Sequence, residues 1–314
     1  MGLRLLYFGS DDFAVPSLDK LLEGEHEIAA VVTRPDMPSG RGLKVGETPV
    51  ATRAAECGIP VLKPAALTRE EFADDIADRG WDAGVVVAYG GLIPRWLLDV
   101  PRLGFVNLHP SLLPRYRGAA PVERALMNGA SVTGVSTIML NEWLDAGDIL
   151  EHHEEPINED DTAGVLRERL SSHGARLLSA TLDALERGEL TPVPQEEEKA
   201  TFAPPVSTAE GNIDWSRPAE SIDRLVRAMD PQPGAYTFFR GKRVKVLQAR
   251  LTDVPPEDEP GTIMNLGKEG FLVNTGTTGL QVLQVQPEGK QKMTSAEFSR
   301  GQRLDIAESF TREP

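Results

Sequence analysis

The sequence predicts an α/β fold: a doubly wound, largely parallel sheet followed by a smaller β-barrel. Three observations predict it. Across the first half, short apolar runs alternate with segments whose apolar residues recur at helical spacing. Residues 191–208, TPVPQEEEKATFAPPVST, then hold four prolines and three consecutive glutamates without periodicity, as a linker does. Beyond it, short strand-like runs are separated by glycine-containing turns, the pattern of a small barrel. The chain therefore divides into a Rossmann-like domain over 1–190, a linker over 191–208 and an OB-like β-barrel over 209–314.

Each element has its own signal. Arg4–Phe8 and Ile28–Thr33 are apolar runs of strand length, and between them Leu18, Leu21 and Leu22 mark a helix that Gly24 stops. Thr68 and Glu71 form a capping-box pair opening a helix with Phe72 and Ile76 on one face, ended by Gly80. Ala83–Tyr89 is β-branched without polar alternation, as expected of a strand covered on both faces. Phe105–His109 and Gly134–Leu140 read as further strands separated by helical Pro121–Asn128, which continues the βαβ rhythm. Asp161–Arg187 is helical with a break near His173-Gly174. In the second domain Ile222, Leu225, Val226 and Met229 share one helical face. Strands are expected at Tyr236–Arg240, Val244–Leu251, Thr262–Asn265, Gly270–Asn274 and Leu280–Val285.

Composition bounds the function. The 314 residues are 40% hydrophobic and 26% charged, ordinary for a globular protein. No apolar run approaches the ~20 residues that span a bilayer, so no membrane association is expected. The N-terminus turns acidic too early for a signal or transit peptide. The single cysteine, Cys57, excludes a disulfide framework and any multi-cysteine metal site. A cytoplasmic protein is expected. The net charge of −15 argues against a basic nucleic-acid coat, yet the charge is uneven. Residues 1–207 carry 19 basic and 33 acidic side chains, whereas 208–314 carry 14 and 15. Residues 235–252 hold Arg240, Lys242, Arg243, Lys245 and Arg250 with no acid, either a solvated strand pair or a local anion-binding face.

The candidate chemistry is concentrated in two places. Gly9-Ser-Asp-Asp-Phe follows the first strand but lacks GxGxxG, and Asp11 and Asp12 would repel a pyrophosphate, so NAD or FAD binding is not expected. No Walker A sequence exists. His152 and His153, adjacent on a strand, face opposite ways and cannot chelate together, so no metal is expected. In VNLHPSLLPRYRG, Val106–Gly118, a strand end projects Asn107 and His109 to one face. An amide donor beside an imidazole can polarise a carbonyl and move a proton, which acyl transfer requires; a hydrogen-bonded strand end is the bland alternative. In the stretch Leu144-Asp-Ala-Gly-Asp-Ile, a carboxylate, Asp145 or Asp148, can orient His109, unless the segment is simply a turn.

NLHPSLLPRYRG together with LDAGDI resembles the signature of the 10-formyltetrahydrofolate-dependent formyltransferases. TRPDMPSGRGLKV at 33–45, VVVAYGGLIP at 85–94, NIDWSRPAESIDRLVRAMDPQPGAY at 212–236 and VQPEGKQKM at 285–293 resemble the methionyl-tRNA-directed members of that family. The resemblance implies a catalytic trio of Asn107, His109 and Asp145, and folate contacts at Ser111, Leu112, Leu113 and Pro114. It further implies a tRNA-contacting loop over 34–46 with Arg41 and Lys44, and tRNA contacts on the barrel at Lys242 and Arg243. The implied reaction moves a formyl group from 10-formyltetrahydrofolate to the α-amino group of methionyl-initiator tRNA, by a monomeric enzyme without metal. The alternative is a sugar-amine formyltransferase using the same donor, to which VQPEGKQKM and the Arg41 loop are less similar. The sequence departs from the family at Trp143, where glycine is usual, at Pro205, where lysine is frequent, and slightly at Gly90-Gly91.

Overall fold

A strand buried on both faces is apolar along its whole length, and the central strands here follow that rule. The computed structural model describes residues 2–39, 44–76 and 79–314. The elements run β1 (Arg4–Gly9), α1 (Val15–Leu22), β2 (Glu27–Val32), β3 (Met37–Ser39), β4 (Lys44–Gly46), α2 (Pro49–Glu56), β5 (Val61–Leu62), α3 (Arg69–Ile76), β6 (Ala83–Val87), α4 (Arg95–Leu98) and β7 (Phe105–His109). They continue with α5 (Pro121–Met127), β8 (Val132–Met139), β9 (Ile149–Pro156) and α6 (Ala163–Arg187). Every residue of β6 and β7 is buried.

Seven strands form one sheet in the order β5-β2-β1-β6-β7-β8-β9. Pairing is parallel through β6–β7, then antiparallel at β7–β8 and β8–β9. The expected βαβ crossover into the Gly134–Leu140 strand is therefore wrong. β8 runs antiparallel to β7, so the two strands need no crossover, and residues 122–131 cluster with the other compact unit. The expected break in the long helix is also wrong: α6 runs unbroken for 25 residues. A Cβ at Gly174 would lie 2.7 Å from a Leu108 methyl, so this glycine permits close helix–sheet approach. Around Phe8 the core is aromatic, with Tyr89, Phe105 and Phe72 edge-on at 5.3, 5.6 and 6.4 Å.

The residues fall into two compact units. The first holds Met1–Pro121, Val132–Pro156 and Arg167–Pro204; the second holds Val122–Ser131, Ile157–Leu166 and Pro205–Pro314. The second unit adds α7 (Ala219–Ala228), β10 (Ala235–Phe239), β11 (Lys242–Leu251), β12 (Ile263–Gly267), β13 (Gly270–Asn274), β14 (Gly279–Pro287), β15 (Met293–Thr294) and α8 (Ser295–Gln302). Its strands are antiparallel in the order β10-β11-β14-β13-β12, with β15 on β14, consistent with a small barrel. Alternate residues Val244 and Val246 point into a core with Trp215, Phe271, Phe298 and Phe310. Among the described residues no helix is long and apolar enough to cross a membrane.

Candidate active site

The site begins at the carboxyl end of β7, beside the point where the sheet changes from parallel to antiparallel. Asn107 and His109 are two residues apart and lie on one face, 8% and 4% exposed. Pro110 follows and cannot donate to the ladder, so the strand ends at His109. The next residues are pinned to β8. The Ser136 hydroxyl donates to the Ser111 carbonyl at 2.7 Å and accepts the Leu113 N–H at 3.2 Å. The buried Ser111 hydroxyl donates to the Arg115 carbonyl at 2.6 Å, while Leu112 and Pro114 are half-buried and Leu113 is buried.

The hydrogen bonds of His109 fix its tautomer. Its Nε2 lies 2.9 Å from the Tyr116 carbonyl oxygen. A carbonyl only accepts, so Nε2 carries the proton and Nδ1 of the neutral ring presents a lone pair. Asp145 Oδ2 is 3.7 Å from Nδ1, within electrostatic reach but beyond a hydrogen bond, and it accepts the Gly118 N–H at 2.8 Å. No described residue hydrogen-bonds the Asn107 amide. The arrangement thus offers a free amide donor, a proton acceptor and a carboxylate that offsets the charge the imidazole gains on taking a proton. Asp148, the other candidate carboxylate, has its backbone carbonyl bound to the Met139 N–H at 2.9 Å.

The Asp145 loop is held by residues that the sequence reading assigned to a linker. Asp145 has φ +47°, and Gly147 packs so tightly that a Cβ would lie 1.7 Å from the Met139 carbonyl oxygen. Gln195 Nε2 donates to the Asp145 and Gly147 carbonyls at 2.8 and 2.7 Å. The Gln195 side-chain oxygen accepts from the Arg117 guanidinium at 3.0 and 2.9 Å, and the Glu197 carboxylate accepts two further bonds from it at 3.0 and 2.7 Å. Arg117 is 4% exposed, and a cation so buried requires such partners. Hydrogen bonding from Arg117 lowers the Glu197 pKa. Of the three consecutive glutamates, all exposed, Glu197 meets Arg117 and Glu196 pairs with Lys199 at 2.7 Å. Residues 201–203 continue the clip: the Tyr116 N–H donates to the Thr201 hydroxyl at 2.9 Å, and the Ala203 N–H donates to the Arg117 carbonyl at 2.7 Å. Only the Arg-rich PRYRG run hinted that these partners existed.

The other candidate residues are less gathered. Arg41 lies outside the described residues, and Lys44 opens β4, which pairs with β3 where an irregular loop was expected. Lys242 and Arg243 are consecutive on β11 and face opposite ways. The Arg243 guanidinium stacks 3.5 Å from the Tyr236 ring centroid, and its Nε and Nη2 have no hydrogen-bond partner. Other cations of that stretch are engaged: Arg240 pairs with Glu308 at 2.6 Å and Arg250 with Glu269 at 3.2 Å, and Lys245 donates to the Pro233 carbonyl at 2.6 Å. Trp143 has no positive φ, so its backbone does not require the family's glycine, and its side chain is exposed. The Pro205 carbonyl accepts from Arg124 at 2.9 Å.

Comparison with known proteins follows the same outline. The formyl transferase family model matches residues 3–182, and the formyl transferase C-terminal domain model matches 205–303. Methionyl-tRNA formyltransferase of Streptomyces coelicolor is 46% identical over 307 residues, covering 98% of this chain and 99% of that protein. This chain belongs to the methionyl-tRNA formyltransferase family. The Thermus thermophilus family member is likewise 46% identical over 299 residues, 95% of this chain and 96% of that protein. Solved structures extend the likeness in fold alone. An N-formyltransferase from Helicobacter canadensis aligns with TM-score 0.68 at 17% identity, covering 93% of this chain and 100% of that one. HypX from Aquifex aeolicus, in complex with tetrahydrofolic acid, aligns with TM-score 0.65 at 18% identity, covering 98% and 49%. As a family member the chain is a formyl group transferase, which accounts for a site offering a donor, a base and a carboxylate.

Proposed function

We propose that the protein transfers the formyl group of 10-formyltetrahydrofolate to the α-amino group of methionyl-initiator tRNA. The observation that carries this is the convergence of Asn107, His109 and Asp145 at one strand end, within a chain related end to end to methionyl-tRNA formyltransferases. The acceptor amine has a pKa of about 8, so a useful fraction is neutral at pH 7 and can attack the formyl carbon. Asn107 donates its free amide to the developing oxyanion. His109 Nδ1 takes the amine proton while its Nε2–H stays on the Tyr116 carbonyl, and Asp145 offsets the imidazolium charge. His109 then returns the proton to the departing N10, which balances the transfer without a covalent enzyme intermediate.

In this reading Ser111, Leu112, Leu113 and Pro114 border the folate. Ser111 contributes through its backbone, since its hydroxyl is committed to Arg115. Residues 1–190 act as the catalytic domain and 209–314 as the tRNA-binding barrel. Arg41, Lys44, Lys242 and Arg243 contact the tRNA, and the enzyme works as a cytoplasmic monomer. A formyl donor carrying a labelled carbon, offered with charged initiator tRNA, free methionine and a nucleotide-linked amino sugar, tests the assignment. Label is expected on the tRNA; preferential labelling of the amino sugar would overturn it.

A further inference from the structure

The sheet register separates a second cluster of side chains from the trio. His109, Ser136 and His152 stand in one cross-strand row on β7, β8 and β9, and so share a face. His153, one residue on, points to the other face, as do its row neighbour Val135 and then Thr137 and Leu108. That is the face on which α6 packs, through Gly174 against Leu108 and a 3.0 Å hydrogen bond between Thr137 and Thr181.

There His153 Nε2 meets His173 Nδ1 at 2.8 Å. Glu155, two residues along the same strand and therefore on the same face, brings Oε2 to 3.8 Å from both nitrogens. The three ligand atoms all lie within 4.8 Å of one another. We propose that His153, Glu155 and His173 bind a divalent transition metal of the zinc class, which ties the edge strand β9 to α6.

The ligand chemistry selects the ion. Two imidazoles and one carboxylate suit zinc, cobalt or nickel, whereas magnesium and calcium take sets of oxygens. Metal–ligand bonds of about 2.0–2.2 Å in tetrahedral geometry set ligand atoms roughly 3.3 Å apart. The observed spacings of 2.8 and 3.8 Å bracket that value, so side-chain rotation suffices to accept the ion. Without metal, two imidazole nitrogens in such contact share one proton, and a cation replaces it.

The surroundings define the rest of the site. Glu155 gives its other oxygen to Arg169, whose Nη2 also donates to the Pro156 carbonyl at 2.9 Å, so the carboxylate is held in place. Arg169 and Arg176 add positive charge near His173, which makes the site weaker than a dedicated three-histidine centre. The His153 side chain is 44% exposed, which leaves the remaining coordination position open to solvent. Thr133, across from Glu155 in the ladder, is 2% exposed and its hydroxyl has no partner.

Titration of the full chain with Co²⁺, followed by its visible absorption, tests this directly, with Zn²⁺ and Mg²⁺ as competitors. Saturation at one Co²⁺ per chain is expected, with displacement by Zn²⁺ and none by Mg²⁺. His153→Gln and His173→Ala should each weaken binding at least tenfold and abolish the rise in Tm that the metal causes. His153→Gln replaces an exposed side chain and should leave the fold intact, which circular dichroism checks. His152→Ala, on the opposite face, should bind metal as the wild type does. Absence of saturable Co²⁺ binding, or an equal loss in His152→Ala, would overturn the proposal.

Discussion

Gln195 donates its side-chain N–H to the Asp145 carbonyl at 2.8 Å, across 50 residues of chain. The same amide accepts from Arg117, so one side chain joins the carboxylate loop to the segment whose Tyr116 carbonyl fixes His109. Gln195→Glu keeps the acceptor for Arg117 but sets an anionic oxygen against two carbonyls. It should displace Asp145 and lower kcat about tenfold to a hundredfold, since small misplacements of a catalytic group cost this much. Steady-state formyl transfer with circular dichroism of the variant checks it; an unchanged kcat would show that the Asp145 loop holds itself.

The trio predicts a graded series. His109→Ala should lower kcat by on the order of 10²–10⁴, and Asn107→Ala by about 10²–10³, with donor binding little changed in either. Losses below about tenfold in both would place the chemistry elsewhere.

How far the sequence foretold this site depended on distance along the chain. Asn107 and His109 were legible because strand alternation alone puts residues two apart on one face. Asp145 was legible only as one of two carboxylates in a glycine-containing stretch. Gln195, Arg117 and Thr201 were not, because their contacts join segments about 50 to 85 residues apart and carry no local pattern. In the fold, the central strands were read from their unbroken apolar runs, while two errors share one cause. Gly174 was taken for a helix breaker when it serves close approach to Leu108, and α5 was taken for a crossover when its residues belong to the other unit. Both depended on what lay opposite, which a one-dimensional pattern does not contain.

On the barrel, the Arg243 guanidinium stands over Tyr236, its Nε and Nη2 buried and without a hydrogen-bond partner. Such an aromatic–cation pair suits contact with a nucleic-acid backbone and bases. Arg243→Ala and Lys242→Ala should each raise the KM for tRNA, and should reduce the steepness of its dependence on salt because fewer counterions are released. KM measured from low to moderate salt checks this, and an unchanged slope would return these residues to the solvated surface.

The second unit also carries a defined acid sensitivity. Hydrogen bonding from Arg124, with the Ser207 N–H, lowers the Glu210 pKa from 4.5 to about 2. A carboxylate with a depressed folded-state pKa contributes stability that is fully present above its unfolded value and is lost as pH falls through its folded one. The Tm difference between wild type and Glu210→Gln should therefore be constant above about pH 5 and shrink steadily as the pH is lowered towards 2. Thermal unfolding across that range measures it. A difference that persists unchanged to the acid end would mean that charge at Glu210 is not its source.

The clip formed by residues 195–203 bears on how this molecule can be dissected. Its proline-rich composition invites a cut near residue 190, yet that cut would remove Gln195, Glu197 and Thr201 from a first unit that runs to Pro204. A fragment ending there would keep Asn107, His109 and Asp145 on its backbone but would leave Arg117, 4% exposed, without an acidic partner or an amide to receive it. A cut after Pro204 keeps the clip whole, yet it parts Val122–Ser131 and Ile157–Leu166 from the rest of the second unit. An exchange of barrels between relatives therefore has to carry residues 122–131 and 157–166 along with 205–314, since Pro205 already answers to Arg124 within the second unit.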